Sequence, residues 1–191
     1  HDSLPLFFEK NSAISNVLSF PSKIEYSKSF DYKSRKVPAI FITNSGNNNI
    51  VITNLLGEIL VKIGSKMGGF KDGSFEEASF NSPGGLLYDG EKLYVSDTGN
   101  NALREINFET KKVTTLIGSG KRGGIVKKNS IGSRDFDLAS PSDIEFFPDL
   151  KNIVIANSGT HQLLKYNVKN REISVLAGDG SDGAVDGKYP N

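Results

Sequence analysis

The chain has 191 residues, which is enough for one domain with a sizeable core. Its 23 lysine and arginine residues nearly balance its 22 aspartate and glutamate residues, so its net charge does not favour nucleic acid or an anionic membrane. It contains no cysteine, which excludes disulfides, thiolate metal sites and thiol redox chemistry from these residues. No apolar run approaches the roughly 18 residues of a membrane span, and no signal-peptide pattern is present. We therefore expect no membrane insertion, and the composition does not indicate a compartment.

The first 17 residues show no clear hydrophobic period, and we interpret them as a lead-in segment. From residue 18 onward, short runs rich in β-branched and aromatic residues alternate with Gly, Asn and Asp clusters, a pattern that predicts antiparallel strands. In the first unit we expect strands near 23–26, 39–43, 49–54 and 59–64. The long, polar and basic loop over 27–36 is interpreted as a hairpin insertion. In the connection that follows, we expect Phe75, Ala78 and Phe80 to contact the sheet.

The clearest unit spans residues 80–118 and predicts a four-stranded antiparallel meander. Its four apolar runs lie near 86–88, 93–95, 102–108 and 113–118, with a turn at Asp89-Gly90 and a loop at 97–101. A sheet of this kind cannot bury both faces by itself. It has to stack on another sheet, so further copies of the pattern are expected in the chain.

Three landmarks of this unit recur three times in the same order, at offsets of 53 to 62 residues. They are a proline-led segment (18–24, 80–86 and 138–144), a middle loop (44–48, 97–101 and 157–161) and an exit (62–64, 116–118 and 176–178). In the third unit we expect strands near 143–147, 152–156, 162–168 and 173–177. Residues 179–191 match the segment that leads into the second unit, so we interpret them as the start of a fourth.

Three sheets and the start of a fourth do not close a ring, and an open sheet face would leave apolar surface exposed. We therefore expect that the chain is part of a longer protein, or that it associates with other material, including a second copy of itself, to complete the ring. A β-sandwich with a repetitive sequence is the alternative fold.

In its motifs the chain resembles an NHL-repeat β-propeller. The resemblance covers about residues 18–191 and is carried by Asp72-Gly73, 80–86, 93–101, 103–106 and 113–118. It implies an all-β propeller with four-stranded blades at about 18–64, 80–118 and 138–178, a fourth blade starting at 179–191, and six blades in the complete ring. In similar proteins a thioredoxin-like domain precedes the propeller. The chain departs from the family pattern at Asn44 and Asn157, where Asp is preferred.

The middle loops hold the candidate binding residues. We expect the side chain at Asn44, Asp97 and Asn157 to bond to backbone and shape each loop, because short polar side chains do this in turns. Equivalent loops of stacked blades face the same way, and rim loops on a rigid scaffold often carry binding. The candidates are Asn47, Asn48, Asn100, Asn101, Thr160 and His161, and a plain solvated rim is the alternative.

A second candidate is the segment 121–134, which carries five positive charges and no negative ones. Its residues Lys121, Arg122, Lys127, Lys128 and Arg134 predict an anion-binding loop for phosphate or an acidic partner. The segment has no aromatic residue for base stacking, so a charged surface loop is the alternative. The run from Asp179 resembles a calcium loop, but its twelfth position is Pro190 instead of the required Glu, and we interpret it as a turn.

His161 is the only histidine inside the folded region, so the residues predict no metal site, no cofactor and no catalytic relay. Our first hypothesis is a non-catalytic interaction scaffold within a larger multidomain protein, binding a protein partner or a neighbouring domain. Nucleic-acid binding, known for more basic propellers of this family, is the second. The third is a propeller enzyme, such as a metal-dependent lyase or hydrolase, whose active residues lie in other blades.

Overall fold

Each sequence unit folds into one antiparallel meander in the computed structural model, which describes residues 17–65, 67–127, 136–148 and 152–182. Blade 1 contains β1 (Pro21–Tyr32), β2 (Arg35–Asn44), β3 (Asn49–Thr53) and β4 (Ile59–Ile63). Blade 2 contains β5 (Gly73–Ser74), β6 (Pro83–Tyr88), β7 (Lys92–Asp97), β8 (Ala102–Asn107) and β9 (Lys112–Ile117). Blade 3 contains β10 (Pro141–Phe146), β11 (Asn152–Asn157), β12 (Gln162–Asn167) and β13 (Ile173–Ala177). The sheet orders are β1-β2-β3-β4, β5-β9-β8-β7-β6 and β10-β11-β12-β13, which confirms the predicted all-β fold.

One asparagine closes the last hairpin of each blade. The Oδ1 atoms of Asn54, Asn107 and Asn167 accept backbone N–H groups of the following turn at 2.8–3.1 Å. Such a bond mimics a backbone turn and so favours a short connection. This asparagine is a fourth repeated landmark, which our reading of the sequence did not use.

The core lies between the blades. One buried cluster joins blades 1 and 2 and includes Phe41, Ile52, Phe80, Leu93 and Ile106. A second joins blades 2 and 3 and includes Tyr94, Leu103, Leu138, Ile155 and Tyr166. The first long strands of the blades, β1, β6 and β10, also contact one another in that order. The sheets therefore stack flank against flank, as the repeated apolar pattern predicts.

Residues 27–36 do form the predicted hairpin insertion, but the prediction of a loop is wrong, because β1 and β2 continue through the segment as regular strands. Only Lys33 and Ser34 turn, with φ of 49° and 63°, as two-residue hairpin turns require. Phe30 pairs with Val37 and is buried, while the neighbouring pair of Asp31 and Lys36 is exposed. The period-2 burial of Phe30 and Tyr32 holds the extension on the core, and the polar composition of the segment hides that period.

The connection from blade 1 to blade 2 packs as expected, since Phe75, Ala78 and Phe80 belong to the first buried cluster. It also adds the short strand β5 to the outer edge of blade 2, which the predicted four-stranded unit did not include. The lead-in residues 1–16 and residues 183–191 of the expected fourth blade lie outside the described residues. Among those that are described, no helix has the length and apolar character needed to cross a membrane.

Candidate functional site

Three equivalent turns form one surface, which we call the turn rim (residues 45–48, 98–101 and 158–161). Each turn is a short 3-10 helix, at Ser45–Asn47, Thr98–Asn100 and Ser158–Thr160. Neighbouring turns are tied to the next blade, because Ser45 donates to the carbonyl of Pro83 and Thr98 to that of Pro141. The structure therefore brings the predicted loop residues to one rim, and their role in binding stays a prediction.

Glycine at the centre of each turn allows close approach of another backbone segment. The N–H groups of Gly46, Gly99 and Gly159 donate to the carbonyls of Ser19, Asn81 and Ala139, each at 2.8 Å. A Cβ atom on any of the three would lie 2.7–2.8 Å from the same carbonyl oxygen, which is closer than such contacts occur. Gly46 and Gly99 are exposed and Gly159 is half-buried, so the rim displays backbone held in a fixed position.

The residue before each turn is buried and acts as an anchor. The Oδ1 atoms of Asn44, Asp97 and Asn157 accept the backbone N–H groups of Ser19, Asn81 and Ala139 at 2.6, 2.8 and 2.8 Å. The expected side-chain-to-backbone bond is thus present. It reaches the segment before the proline, 16 to 25 residues earlier, instead of the loop itself.

Asn48, Asn101 and His161 occupy the same left-handed position at the end of each turn, with φ of 51–54°. Asn48 accepts the N–H of Ser82 at 2.9 Å and Asn101 that of Ser140 at 2.8 Å, so each joins its blade to the next. His161 has no blade beside it in the described residues and is exposed. Of the three, it therefore offers the most accessible side chain.

The other three predicted binding residues turn toward the scaffold. Asn47 donates to the carbonyl of Val17 at 3.1 Å, and Asn100 donates to that of Gly69 at 2.8 Å. Thr160 is buried and accepts a bond from Asn157 at 2.6 Å. These side chains hold the turns in place, which leaves the exposed backbone and His161 as the surface of the rim.

Sequence reasoning missed Phe20 as a rim residue. Its side chain is 84% exposed, and its ring lies beside Gly46, where an added Cβ would be 2.9 Å from Cδ2. The equivalent residues of blades 2 and 3 are Ser82 and Ser140, which share its left-handed backbone. The signal was a phenylalanine where the other two copies have serine.

Of the predicted anion-binding loop, Lys121, Arg122 and Lys127 lie within the described residues, whereas Lys128 and Arg134 do not. Arg122 reaches the turn rim, where its guanidinium donates to the carbonyl of Gly159 at 3.0 Å. The segment itself is tied to blade 3, because Val126 bonds through both backbone groups to the side chain of Gln162. Anion binding by this loop stays a prediction.

The run that resembles a calcium loop forms a tight turn at its start. Asp179 Oδ1 accepts both the N–H and the hydroxyl of Ser181, at 2.8 and 2.5 Å. These bonds lower the pKa of the Asp179 carboxyl. This arrangement agrees with the turn interpretation for the described part of the run.

Charged groups from blades 1 and 3 meet where the inner strands approach one another. Lys23 Nζ lies 2.7 Å from Asp143 Oδ2, which joins blade 1 to blade 3 directly. The glycine of blade 2 at the same repeat position, Gly85, leaves room for this contact, since a Cβ there would lie 2.7 Å from the Cα of Asp143. Burial, and then the nearby Glu145 carboxylate, raises the pKa of Glu25.

A buried arginine supports the second turn and was also missed. Arg104 is fully buried and pairs with Asp97 at 2.6 Å and Asp72 at 3.0 Å. Its guanidinium lies between the rings of Phe70 and Phe80, 5.1 and 5.0 Å from their centroids. Burial raises the pKa of the Asp97 carboxyl, and the Arg104 charge opposes that rise.

The arginine explains why the chain departs from the family pattern in the other two blades. Blades 1 and 3 place Val51 and Leu164 at the repeat position of Arg104, and there the anchor is a neutral asparagine. A buried carboxylate is costly unless it is paired, so Asp occurs only in the blade that supplies the arginine.

Antiparallel four-stranded blades that stack flank to flank, with their first strands at a common centre, define a segment of a β-propeller. No family model matches the chain. Its sequence is 38% identical over 98% of the chain to the chloroplastic protein SUPPRESSOR OF QUENCHING 1 of Arabidopsis thaliana. It is 32% identical over 85% of the chain to NHL repeat-containing protein 2 of Gallus gallus. The chain belongs to the NHL-repeat β-propellers, as the motifs predict.

The chain spans only part of these relatives, 18% of the first and 22% of the second. Among solved structures, it is similar to an auxiliary nutrient binding protein from Bacteroides ovatus, with a TM-score of 0.54 and 19% identity. That match covers 73% of this chain and 35% of the other. At this identity the likeness concerns the fold alone.

Proposed function

We propose that this chain is a non-catalytic protein-interaction module of a larger multidomain protein, and that the turn rim is its binding surface. The observation that carries the proposal is Phe20, an 84% exposed aromatic side chain held against the first turn. Aromatic residues and arginine are enriched at protein interfaces, and Arg122 lies on the same rim. The similar proteins are several times longer than this chain, which supports a modular role and admits a thioredoxin-like neighbour.

The test replaces the exposed groups of the rim by the residues of the other blades. Phe20→Ser and His161→Asn introduce residues that already occupy the same left-handed position elsewhere in the chain, so we expect both variants to fold normally. We expect capture of protein partners from a native extract to fall about tenfold or more in the double variant, as for a lost aromatic anchor.

Leu56→Ser is the matched control. Leu56 is 82% exposed, like Phe20, but lies in the hairpin after β3, at the opposite end of the blade. It should leave capture unchanged. Equal capture by the wild type and the rim double variant would overturn the proposal.

We also propose that the face of blade 3 that points away from blade 2 packs against another blade. Leu163 and Leu176 lie on this face and are 41% and 45% exposed. The equivalent residues of blade 2, Leu103 and Leu116, pack in the cluster between blades 2 and 3. We therefore expect the isolated chain to self-associate with a concentration-dependent mass in sedimentation, and Leu163→Glu with Leu176→Glu to make it monomeric. A monomer at all concentrations would contradict this.

A further inference from the structure

A cavity of about 400 Å³ lies between blades 1 and 2, at the end of the blades opposite the turn rim. The strand register places it there, because Pro83 pairs with Asp97 near the rim whereas Tyr88 pairs with Leu93 at the other end. Three aromatic residues and three carboxylates line it: Phe30, Tyr88, Phe108, Asp31, Glu91 and Glu109.

The long hairpin of blade 1 creates one wall of this cavity. β1 has 12 residues, whereas its equivalents β6 and β10 have 6 each, and the additional length carries Phe30 and Asp31. Phe30 packs edge-on against Phe108 at 5.0 Å and against Tyr88 at 6.2 Å between ring centroids. Tyr88 in turn stacks on Phe41 at 4.6 Å. Aromatic residues of both blades therefore pack together to form this wall.

The charges at the mouth are mainly negative. Asp31, Glu91 and Glu109 are exposed, while the rings of Tyr88 and Phe108 are half-buried below them. The one basic lining residue, Lys92, already pairs with Glu105 at 3.0 Å. Asp31 pairs with Lys36, but both side chains are more than 60% exposed and the pair is screened. Within the part of the chain that the structure describes, Glu91 and Glu109 have no cationic partner.

The pKa of the Tyr88 hydroxyl reflects the same negative charges at the mouth of the cavity. Burial raises the pKa of its hydroxyl to about 12, and the carboxylates of Asp31, Asp89 and Glu91 contribute to the rise. Each of these carboxylates disfavours a phenolate and favours a cation in the same space.

We propose that this cavity binds the side-chain cation of a lysine or arginine residue of a protein partner. The rings contact the aliphatic stem and attract the charge through their faces, while the exposed carboxylates neutralise it. A cavity that combines apolar walls with a few charged groups at its mouth is typical of a site for one amphipathic group. This inference rests on the proposed interaction function and adds a second contact region with stated partner chemistry.

The test uses the full 191-residue chain and a small probe, Nα-acetyl-lysine methylamide, titrated at low ionic strength. We expect saturable shifts of the Tyr88 and Phe108 ring resonances in NMR spectra. The uncharged norleucine analogue should bind at least about fivefold more weakly, because it lacks the cation. Added salt should weaken binding of the lysine probe but not binding of the norleucine analogue.

Glu91→Gln with Glu109→Gln removes two negative charges without changing the shape of the side chains. We expect the affinity for the lysine probe to fall about tenfold, because its cation loses the attraction of the two carboxylates. Glu172→Gln, an exposed carboxylate of blade 3, is the matched control and should leave binding unchanged. Equal binding of the lysine and norleucine probes, or unchanged affinity in the Glu91/Glu109 variant, would overturn the proposal.

The two proposals fail separately. Partner capture that survives Phe20→Ser with His161→Asn, while the lysine probe still binds, would overturn the rim alone. Capture that depends on the rim, with lysine binding insensitive to Glu91 and Glu109, would overturn the cavity alone.

Discussion

Replacing Arg104 by leucine is expected to lower the free energy of unfolding by about 3–5 kcal/mol, because it leaves the buried Asp97 carboxylate without its cation. Asp97 and Arg104 are both fully buried, so water cannot replace the lost partner. Arg104 also donates to the carbonyls of Ser79 and Lys71 at 3.0 and 2.8 Å, which ties β8 to the connection before blade 2. Loss of these bonds adds to the cost.

The rest of the chain supplies the compensating change. Blade 3 has Asn157 and Leu164 at the positions of Asp97 and Arg104, and that blade folds with the same turn. Adding Asp97→Asn to Arg104→Leu should therefore recover most of the lost stability. Asparagine retains the acceptor for the Asn81 N–H and carries no charge.

Urea unfolding of the wild type, both single variants and the double variant gives the coupling between the two residues. Lys36→Leu is the control, since it breaks an exposed ion pair and should cost no more than about 1 kcal/mol. A double variant as unstable as Arg104→Leu would show that the arginine acts through its backbone bonds and its packing instead of through Asp97.

The fold was predictable because it depends on repetition. The proline-led segment, the middle loop and the exit each correspond to the same structural position in all three blades. A repeated local pattern reports local geometry well, so the strands and turns followed from the sequence. The regular strands of the long hairpin in blade 1 were missed, because no other blade has a copy of this segment.

The candidate binding surfaces were less predictable, because they depend on residues that differ between copies. Phe20 and Arg104 each replace a different residue type of the other blades, and Phe30 lies in an extension that the other blades lack. The cavity also combines residues from separate hairpins of two blades, which no single segment reveals. Comparing the copies position by position for their exceptions would have identified Phe20 and Arg104.

The second large effect is expected for Gly99→Ala, at about 2–4 kcal/mol of unfolding free energy from overpacking and a lost hydrogen bond. An added Cβ would lie 2.6 Å from Cγ and 2.7 Å from the backbone oxygen of Asn81. The side chain of Asn81 can rotate away, but its carbonyl cannot, because Gly99 N–H donates to it at 2.8 Å. The φ of Gly99 is not in the left-handed region, so the cost is steric and not conformational.

Gly124→Ala is the matched control, since no atom lies within 4 Å of the added Cβ and its φ is also outside the left-handed region. There, alanine restricts the unfolded chain and should be neutral or stabilising by up to about 1 kcal/mol. Urea unfolding of both variants measures the difference in the free energy of unfolding.

Because the carbonyl of Asn81 precedes the proline-led strand β6, its displacement in Gly99→Ala should also speed hydrogen exchange of the Gly85 N–H, which donates to the Ser96 hydroxyl at 2.5 Å. Equal midpoints for the two variants would mean that the turn can move away from this segment, and the rim would then not be the rigid surface that partner binding requires.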